Sequence, residues 1–205
     1  MGRARDLWEA CQDLVRICEA HPFVQGIASG ALPRERFAFY VGQDAFFLDA
    51  FARAYALAFA KAPDREAMAD LRALLEGTFE ELRLHQEYAA RWGISLAPEP
   101  APATRAYTDF LLRVAALEPA GHIVAAMTPC MRLYAHLGRT LRPFTDPASP
   151  YREWVETYAS DAFEALARRL EGLLDRLPGE EAVQQDLYRT AMTLEVRFFD
   201  AAYGR

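Results

Sequence analysis

The stretch that decides the fold reads Phe37-Ala-Phe-Tyr40-Val-Gly-Gln43-Asp44-Ala-Phe46-Phe47-Leu48-Asp-Ala-Phe51. Its large apolar residues recur at helical spacing, which predicts an α-helix with one buried face. That face holds Phe37, Tyr40, Val41, Asp44, Phe47, Leu48, Phe51 and Tyr55. Asp44 is the exception on this face, because a lone carboxylate among aromatic rings loses solvation unless it finds partners. We therefore interpret Asp44 as a candidate functional acid.

The helical pattern continues along the rest of the chain, and no β-type alternation of useful length interrupts it. Proline and glycine mark the breaks, for example at Pro33, at Gly93 and at the pair Pro178-Gly179. Seven helices are predicted, over residues of about 4–20, 34–61, 65–92, 103–117, 120–142, 150–176 and 180–203. This pattern favours an all-α, antiparallel bundle of about seven helices that forms one domain over residues 1–205.

Composition argues against several classes of partner. The formal net charge is -6, so the chain lacks the basic surface that nucleic acid requires. No apolar run reaches the roughly 18 residues of a membrane span, and the N-terminus becomes charged too soon for a signal peptide. Three cysteines without metal-type spacing agree with a reducing compartment. We expect a cytoplasmic protein that binds neither nucleic acid nor membranes.

In a helical bundle a ligand site lies between helices, so its residues interrupt apolar stripes. Glu195 lies in the most aromatic part of the last predicted helix, where burial would raise the pKa of its carboxyl. The alternative is a surface position at which Glu195 pairs with Arg189 or Arg197. Cys130 follows Pro129 within another stripe, either as a nucleophile beside a helix bend or as a small core residue.

Further candidates are Tyr107, and Tyr158 with Asp161, which also lie among apolar residues. Each tyrosine is either a ligand contact or a core residue with a satisfied hydroxyl. Glu81 and His85 share a helix face, which predicts a local hydrogen-bonded pair or a contact with a neighbouring helix. Only four histidines and no Glu-x-x-His pair are present, too few for a di-metal centre. We therefore expect no metal and no cofactor.

Taken together, these residues resemble the TenA/thiaminase II family, whose fold is a haem-oxygenase-like all-α bundle. The resemblance covers almost the whole chain, and the order and spacing of its short motifs are specific. The matching segments are His21-Pro-Phe-Val-Gln-Gly26, Tyr40-Val-Gly-Gln43-Asp44-Ala-Phe46-Phe47-Leu48, Glu81 to His85, Ala106-Tyr107-Thr108, Pro129-Cys130-Met-Arg-Leu-Tyr134, Thr157-Tyr158-Ala-Ser-Asp161 and Glu195.

The resemblance implies an enzyme of thiamine salvage. It would hydrolyse 4-amino-5-aminomethyl-2-methylpyrimidine, and thiamine itself, to 4-amino-5-hydroxymethyl-2-methylpyrimidine. Cys130 matches the nucleophile, Asp44 the acid that binds the pyrimidine amino group, and Glu195 the acid that contacts a ring nitrogen. The substrate-binding positions implied are Tyr107, Tyr158, Tyr134 and Phe47.

Phe47 is a departure from the family pattern, because relatives often carry tyrosine there, and it removes a hydroxyl from the implied pocket. The resemblance further implies a homotetramer. Two other functions are compatible with these residues. One is a non-catalytic pyrimidine-binding or regulatory protein, and the other is a metal-dependent or oxygen-activating enzyme on the same type of bundle.

Overall fold

A computed structural model describes residues 2–204, and over that range the regular structure is entirely helical. There are ten α-helices, and a short 3-10 helix, Arg142–Phe144, follows the seventh. They are α1 (Arg3–Ala10), α2 (Gln12–Ala20), α3 (Pro22–Ser29), α4 (Arg34–Ala60), α5 (Arg65–Trp92), α6 (Pro102–Leu117), α7 (Ala120–Leu141), α8 (Arg152–Ala159), α9 (Asp161–Arg176) and α10 (Glu181–Tyr203). None of these helices is both long and apolar enough to cross a membrane. The predicted all-α class is confirmed.

The predicted number of about seven helices is wrong, because two of the predicted segments are each divided in two and one short helix was not predicted. The segment 4–20 is interrupted at Cys11, and the unpredicted helix α3 begins directly after His21. Nδ1 of His21 accepts a hydrogen bond from the backbone N–H of Phe23, 3.1 Å away. The segment 150–176 is divided at Ser160, whose Oγ accepts from the backbone N–H of Phe163 at 3.1 Å. Such side-chain caps compete with helix continuation.

The aromatic face of α4 is buried as predicted, and every residue of the stripe is at most 4% exposed. This helix lies against α5 and α6, while α7 lies between α8, α9 and α10. Pro129 is inside α7, where it cannot donate a hydrogen bond to the carbonyl of Ala125. Contacts of α10 with α7, α6 and α4, and of α4 with α7, join the two groups of helices.

The loop between α5 and α6 is held against α4 by Gln43. Its Nε2 donates to the carbonyl of Glu99 at 3.1 Å, and its Oε1 accepts from the backbone N–H of Ala101 at 2.8 Å. Gly42 allows this approach, since a Cβ there would lie 2.9 Å from the carbonyl oxygen of Ser95. Gly42 and Gln43, the two residues that precede Asp44, therefore have a structural role.

Candidate active site

Six helices bring polar side chains into one buried cluster, which we call the acid cluster. Its members interact through hydrogen bonds and short-range charge effects across the bundle. They are Asp44 from α4, Glu81 and His85 from α5, Tyr107 from α6, Cys130 from α7, Tyr158 from α8 and Glu195 from α10. Among residues 2–204, no three His, Cys, Asp or Glu side chains are arranged to hold a metal ion.

Asp44 finds its partner on the neighbouring helix. The side chain is 4% exposed, and its Oδ2 lies 2.7 Å from Nε2 of His85. The other ring nitrogen of His85, Nδ1, lies 2.9 Å from the carbonyl oxygen of Glu81. Burial lowers the pKa of His85, but the bond to Asp44 and the charges of Asp44 and Glu81 outweigh it, and the pKa rises to about 9. A cation thus compensates the carboxylate for its lost solvation.

Glu195 is also deep in the core, so the alternative surface position is wrong. It is 2% exposed, and its Oε1 accepts a hydrogen bond of 2.7 Å from the hydroxyl of Tyr107. Arg189 instead pairs with Asp13, with Nη2 and Oδ2 2.6 Å apart. Burial raises the pKa of Glu195 to about 8, with the charge of Asp44 acting in the same direction. The carboxyl therefore carries a proton at neutral pH and can donate it.

The thiol of Cys130 is influenced by the carboxyl groups of Asp44 on α4 and Glu195 on α10. Its side chain is partly exposed, whereas Cys11 and Cys18 are buried. Burial raises the pKa of the Cys130 thiol well above its usual value, and the charges of Glu195, Glu81 and Asp44 raise it further. The resting thiol is therefore protonated, and a nucleophilic role requires a base that accepts its proton during attack.

The predicted substrate-binding residues form two groups of packed aromatic rings. In the first group the ring centroids of Tyr134 and Tyr158 lie 4.8 Å apart, and those of Trp154 and Tyr158 lie 4.7 Å apart. In the second group the rings of Phe47 and Tyr107 lie 4.8 Å apart. A deprotonated Cys130 would act electrostatically on Tyr107 and Tyr134, so each group has one ring within reach of the charge of the predicted nucleophile.

The Tyr40 hydroxyl fixes the first of these groups. It donates to the hydroxyl of Tyr134 at 3.3 Å and accepts from Nε1 of Trp154 at 3.2 Å. Tyr40 and Trp154 were not among the predicted site residues, although both lie on the aromatic faces that sequence periodicity marks. These hydrogen bonds therefore hold the side chains of Tyr134 and Trp154 in fixed orientations.

Glu81 was predicted to pair locally with His85 or to contact a neighbouring helix, but not to be a site residue, and its carboxyl contacts α8. Its Oε1 accepts a hydrogen bond of 2.5 Å from the hydroxyl of Tyr158. Burial and the charge of Asp44 raise the pKa of Glu81 to about 7, although His85 and Tyr158 act in the opposite direction. The available signal was its position one turn before His85. Glu81 also lines a groove of about 330 Å³ between α5, α8 and α9, so it connects the cluster to that groove.

Asp161 does not belong to the site, contrary to its grouping with Tyr158. Its side chain is fully exposed and pairs with Arg139, with Oδ1 and Nη2 2.9 Å apart. The reason is the helix break at Ser160, which starts α9 at Asp161 in a new direction. The stripe that carries Tyr158 ends with α8.

The sequence is similar to proteins of thiamine metabolism. The TENA/THI-4/PQQC family matches residues 4–205. The aminopyrimidine aminohydrolase of Halalkalibacterium halodurans is 37% identical, over 100% of this chain and 96% of that protein. The mitochondrial bifunctional TH2 protein of Arabidopsis thaliana is 36% identical over 88% of this chain, which spans only 34% of it. The chain thus corresponds to almost all of one relative and to one part of the other.

Solved structures show the same fold. A TenA family transcription regulator from Silicibacter superposes with a TM-score of 0.93 at 28% identity, covering 100% of this chain and 98% of that one. Haem oxygenase-1 of the cyanobacterium Synechocystis, at 19% identity, gives 0.66 and covers 100% of this chain and 93% of that one. The predicted haem-oxygenase-like fold is therefore confirmed. Sequence and structure together show that this chain belongs to the TENA/THI-4/PQQC family.

Proposed function

We propose that this chain hydrolyses 4-amino-5-aminomethyl-2-methylpyrimidine, and thiamine as a second substrate, to the hydroxymethylpyrimidine used in thiamine salvage. The name and nearly full-length similarity of the H. halodurans relative support this hydrolase class. The observation that carries the proposal is the 2.7 Å hydrogen bond between Glu195 and Tyr107, together with the electrostatic influence of Glu195 on the thiol of Cys130. A buried proton donor that acts on a thiol supports acid-assisted attack by that thiol.

Glu195 supplies the first step. Its raised pKa, about 8, keeps the carboxyl protonated at neutral pH. Proton transfer from this carboxyl to a pyrimidine ring nitrogen makes the ring electrophilic. The aromatic side chains of Phe47, Tyr107, Tyr134 and Tyr158 suit such a flat, polarisable ring, because they offer faces and edges for stacking.

Cys130 and Asp44 supply the second step. Because the thiol is protonated at rest, Asp44 accepts its proton as sulfur adds to a carbon of the protonated pyrimidine ring. The bond between the methylene carbon and its amine nitrogen then breaks, and the amine leaves with the proton that Asp44 holds. Water adds to the methylene carbon and releases a proton, the carbon–sulfur bond breaks, and sulfur takes up that proton. The ring proton returns to Glu195. The net change is addition of one water and release of one ammonia, or of the thiazole when thiamine is the substrate.

The test compares wild type with Cys130→Ala on both substrates, with product and ammonia quantified together. We expect stoichiometric hydroxymethylpyrimidine and ammonia from wild type, and a loss of about 10³-fold or more in the variant. The matched control is Cys11→Ala, since Cys11 is a buried thiol beside Arg189, away from the acid cluster. Undiminished product from Cys130→Ala would overturn the nucleophile assignment.

A second candidate function is pyrimidine binding without turnover. The observation that favours it is the Silicibacter structure, which is described as a transcription regulator and superposes closely. Tight binding of the aminopyrimidine by wild type, with no product between about pH 6 and 9, would favour this function over hydrolysis. The homotetramer, which the resemblance implies, and the cytoplasmic location, which the composition implies, remain predictions, for light scattering and cell fractionation to test.

A further inference from the structure

The contacts of His85 define how many protons it shares with Asp44. Nε2 lies 2.7 Å from a carboxyl oxygen of Asp44, and Nδ1 lies 2.9 Å from the backbone carbonyl oxygen of Glu81. A carbonyl oxygen only accepts hydrogen bonds, so Nδ1 carries a proton in that contact. The contact with Asp44 then needs one further proton, which lies either on Nε2 or on the carboxyl. Of these two arrangements, the imidazolium beside a carboxylate is the one that the raised pKa of His85 favours.

The charges around the ring favour the same state. His85 faces Asp44 of α4 and Glu81 of its own helix. Tyr158 of α8 reaches this pair through its hydrogen bond to Glu81. Glu195 of α10 and Cys130 of α7 are influenced by Asp44 from the other side. The other members of the acid cluster carry either a negative charge or none. An imidazolium at His85 therefore offsets the negative charge of the cluster.

We propose that His85 is a positioning residue for the hydrolysis proposed above: its imidazolium holds Asp44 by Oδ2, as a carboxylate, and leaves Oδ1 for the substrate amino group and the thiol proton. The ring is itself fixed, since it is 4% exposed and bonded to the backbone of α5. A carboxylate held at one oxygen by a buried ring has one orientation toward the thiol.

The role predicts a loss in kcat that a purely structural role would not cause. Without the imidazolium, Asp44 is no longer held at Oδ2, so it is less often oriented to accept the thiol proton. We therefore expect kcat to fall by more than KM rises, and a side chain that keeps one N–H donor to restore part of it. A structural role would lower the unfolding midpoint without this dependence on the donor.

The experiment uses His85→Gln and His85→Leu in the full chain. Glutamine keeps one N–H donor for Asp44, and leucine keeps none. We expect kcat/KM to fall about 10-fold for glutamine and about 100-fold for leucine, mainly through kcat. The control is His122→Gln, because His122 is a buried ring that bonds Glu118 at 2.9 Å at the start of α7. Folded variants with a wild-type kcat, or with equal losses for glutamine and leucine, would overturn the proposal.

A second readout does not depend on turnover. In the wild-type chain with ¹⁵N-labelled histidine, the ring signals lost in His85→Gln identify His85. We expect both ring nitrogens to be protonated at neutral pH, with titration near the pKa of about 9 and a lower value in Asp44→Asn. A neutral His85 ring at pH 7 would overturn the proposal. If the wild type hydrolyses neither substrate, the proposed function fails. The ion pair of His85 and Asp44 is then still tested, because the spectrum detects it without turnover.

Discussion

The hydroxyl of Tyr107 donates a hydrogen bond of 2.7 Å to Oε1 of Glu195 and joins α6 to α10 inside the core. This bond favours the charged form of the carboxyl, whereas burial favours the neutral form and dominates. Tyr107 therefore limits how far the pKa of Glu195 rises. The pair sets the pH range in which Glu195 can act as a proton donor.

Tyr107→Phe should shift the basic limb of the kcat/KM profile to higher pH. The substitution removes the bond that lowers the pKa of Glu195, so that pKa should rise above about 8. The measurement is the pH dependence of kcat/KM in both chains. Tyr151→Phe is the control, because the Tyr151 hydroxyl also donates one buried hydrogen bond, to the carbonyl of Leu32 at 2.5 Å. A shift of the basic limb to lower pH in Tyr107→Phe would contradict the assignment.

Glu195→Gln should make the protein more stable at alkaline pH while it abolishes turnover. The folded-state pKa of about 8 lies above the ordinary value of 4.5, so the folded chain binds more protons than the unfolded chain between these values. The free energy of unfolding therefore falls as pH rises from about 4.5 to about 8, on the order of a few kcal/mol. Glutamine cannot ionise and removes this loss.

Urea denaturation at both ends of that range measures the effect. Wild type should lose more stability between about pH 5 and 8 than Glu195→Gln, although Glu81 keeps part of the slope because its pKa is also raised, to about 7. Glu76→Gln is the control at an exposed position on α5 and should keep the wild-type slope. Equal slopes in wild type and Glu195→Gln would contradict the buried, protonated carboxyl.

Asp44→Asn should make Cys130 more reactive toward iodoacetamide but less active in hydrolysis. The charge of Asp44 contributes to the raised pKa of the thiol, so its removal increases the thiolate fraction at a given pH. Turnover falls because the acceptor of the thiol proton is lost. Mass spectrometry of the modified peptide gives the alkylation rate, and Cys130→Ser gives the background from Cys11 and Cys18. Slower alkylation in Asp44→Asn would show that the carboxylate activates the resting thiol instead.

Gly138→Ala should displace Tyr158, although Gly138 is not itself a member of the acid cluster. A Cβ at Gly138 would lie 2.5 Å from the backbone N of Ala159 and 2.5 Å from the backbone C of Tyr158. Relief of this clash moves α8 away from α7, with a cost of about 1–3 kcal/mol. We expect lower stability in urea and a lower kcat/KM, because Tyr158 loses its position.

The matched control is Gly172→Ala in the middle of α9. A Cβ there would meet only Nη1 of Arg176, at 3.5 Å, so alanine fits without movement. It should raise stability by about 1 kcal/mol, since alanine favours a helix more than glycine does. Equal effects of the two substitutions would show that the contact between α7 and α8 is not the cause.

Sequence by itself determined the all-α class and the buried face of α4. Helical periodicity is a local property, and the hydrophobic effect buries whichever face carries the large apolar residues. It also identified Asp44 and Glu195, because a carboxyl within an aromatic stripe must be solvated by partners. The helix breaks at Cys11 and Ser160 escaped prediction, because a single backbone conformation or side-chain cap decides them.

The partners of these acids were decided by tertiary structure alone. Asp44 meets His85 at a separation of 41 residues, and Glu195 meets Tyr107 at 88. Periodicity indicates that a side chain points inward, but the rotation and offset of two packed helices determine which side chain it meets. The carboxyl of Glu81 joined the site, and Asp161 left it, for the same reason. The acids that need partners are therefore visible in the sequence, whereas the burial, hydrogen bonds and neighbouring charges that decide their protonation arise only from the packing of the helices.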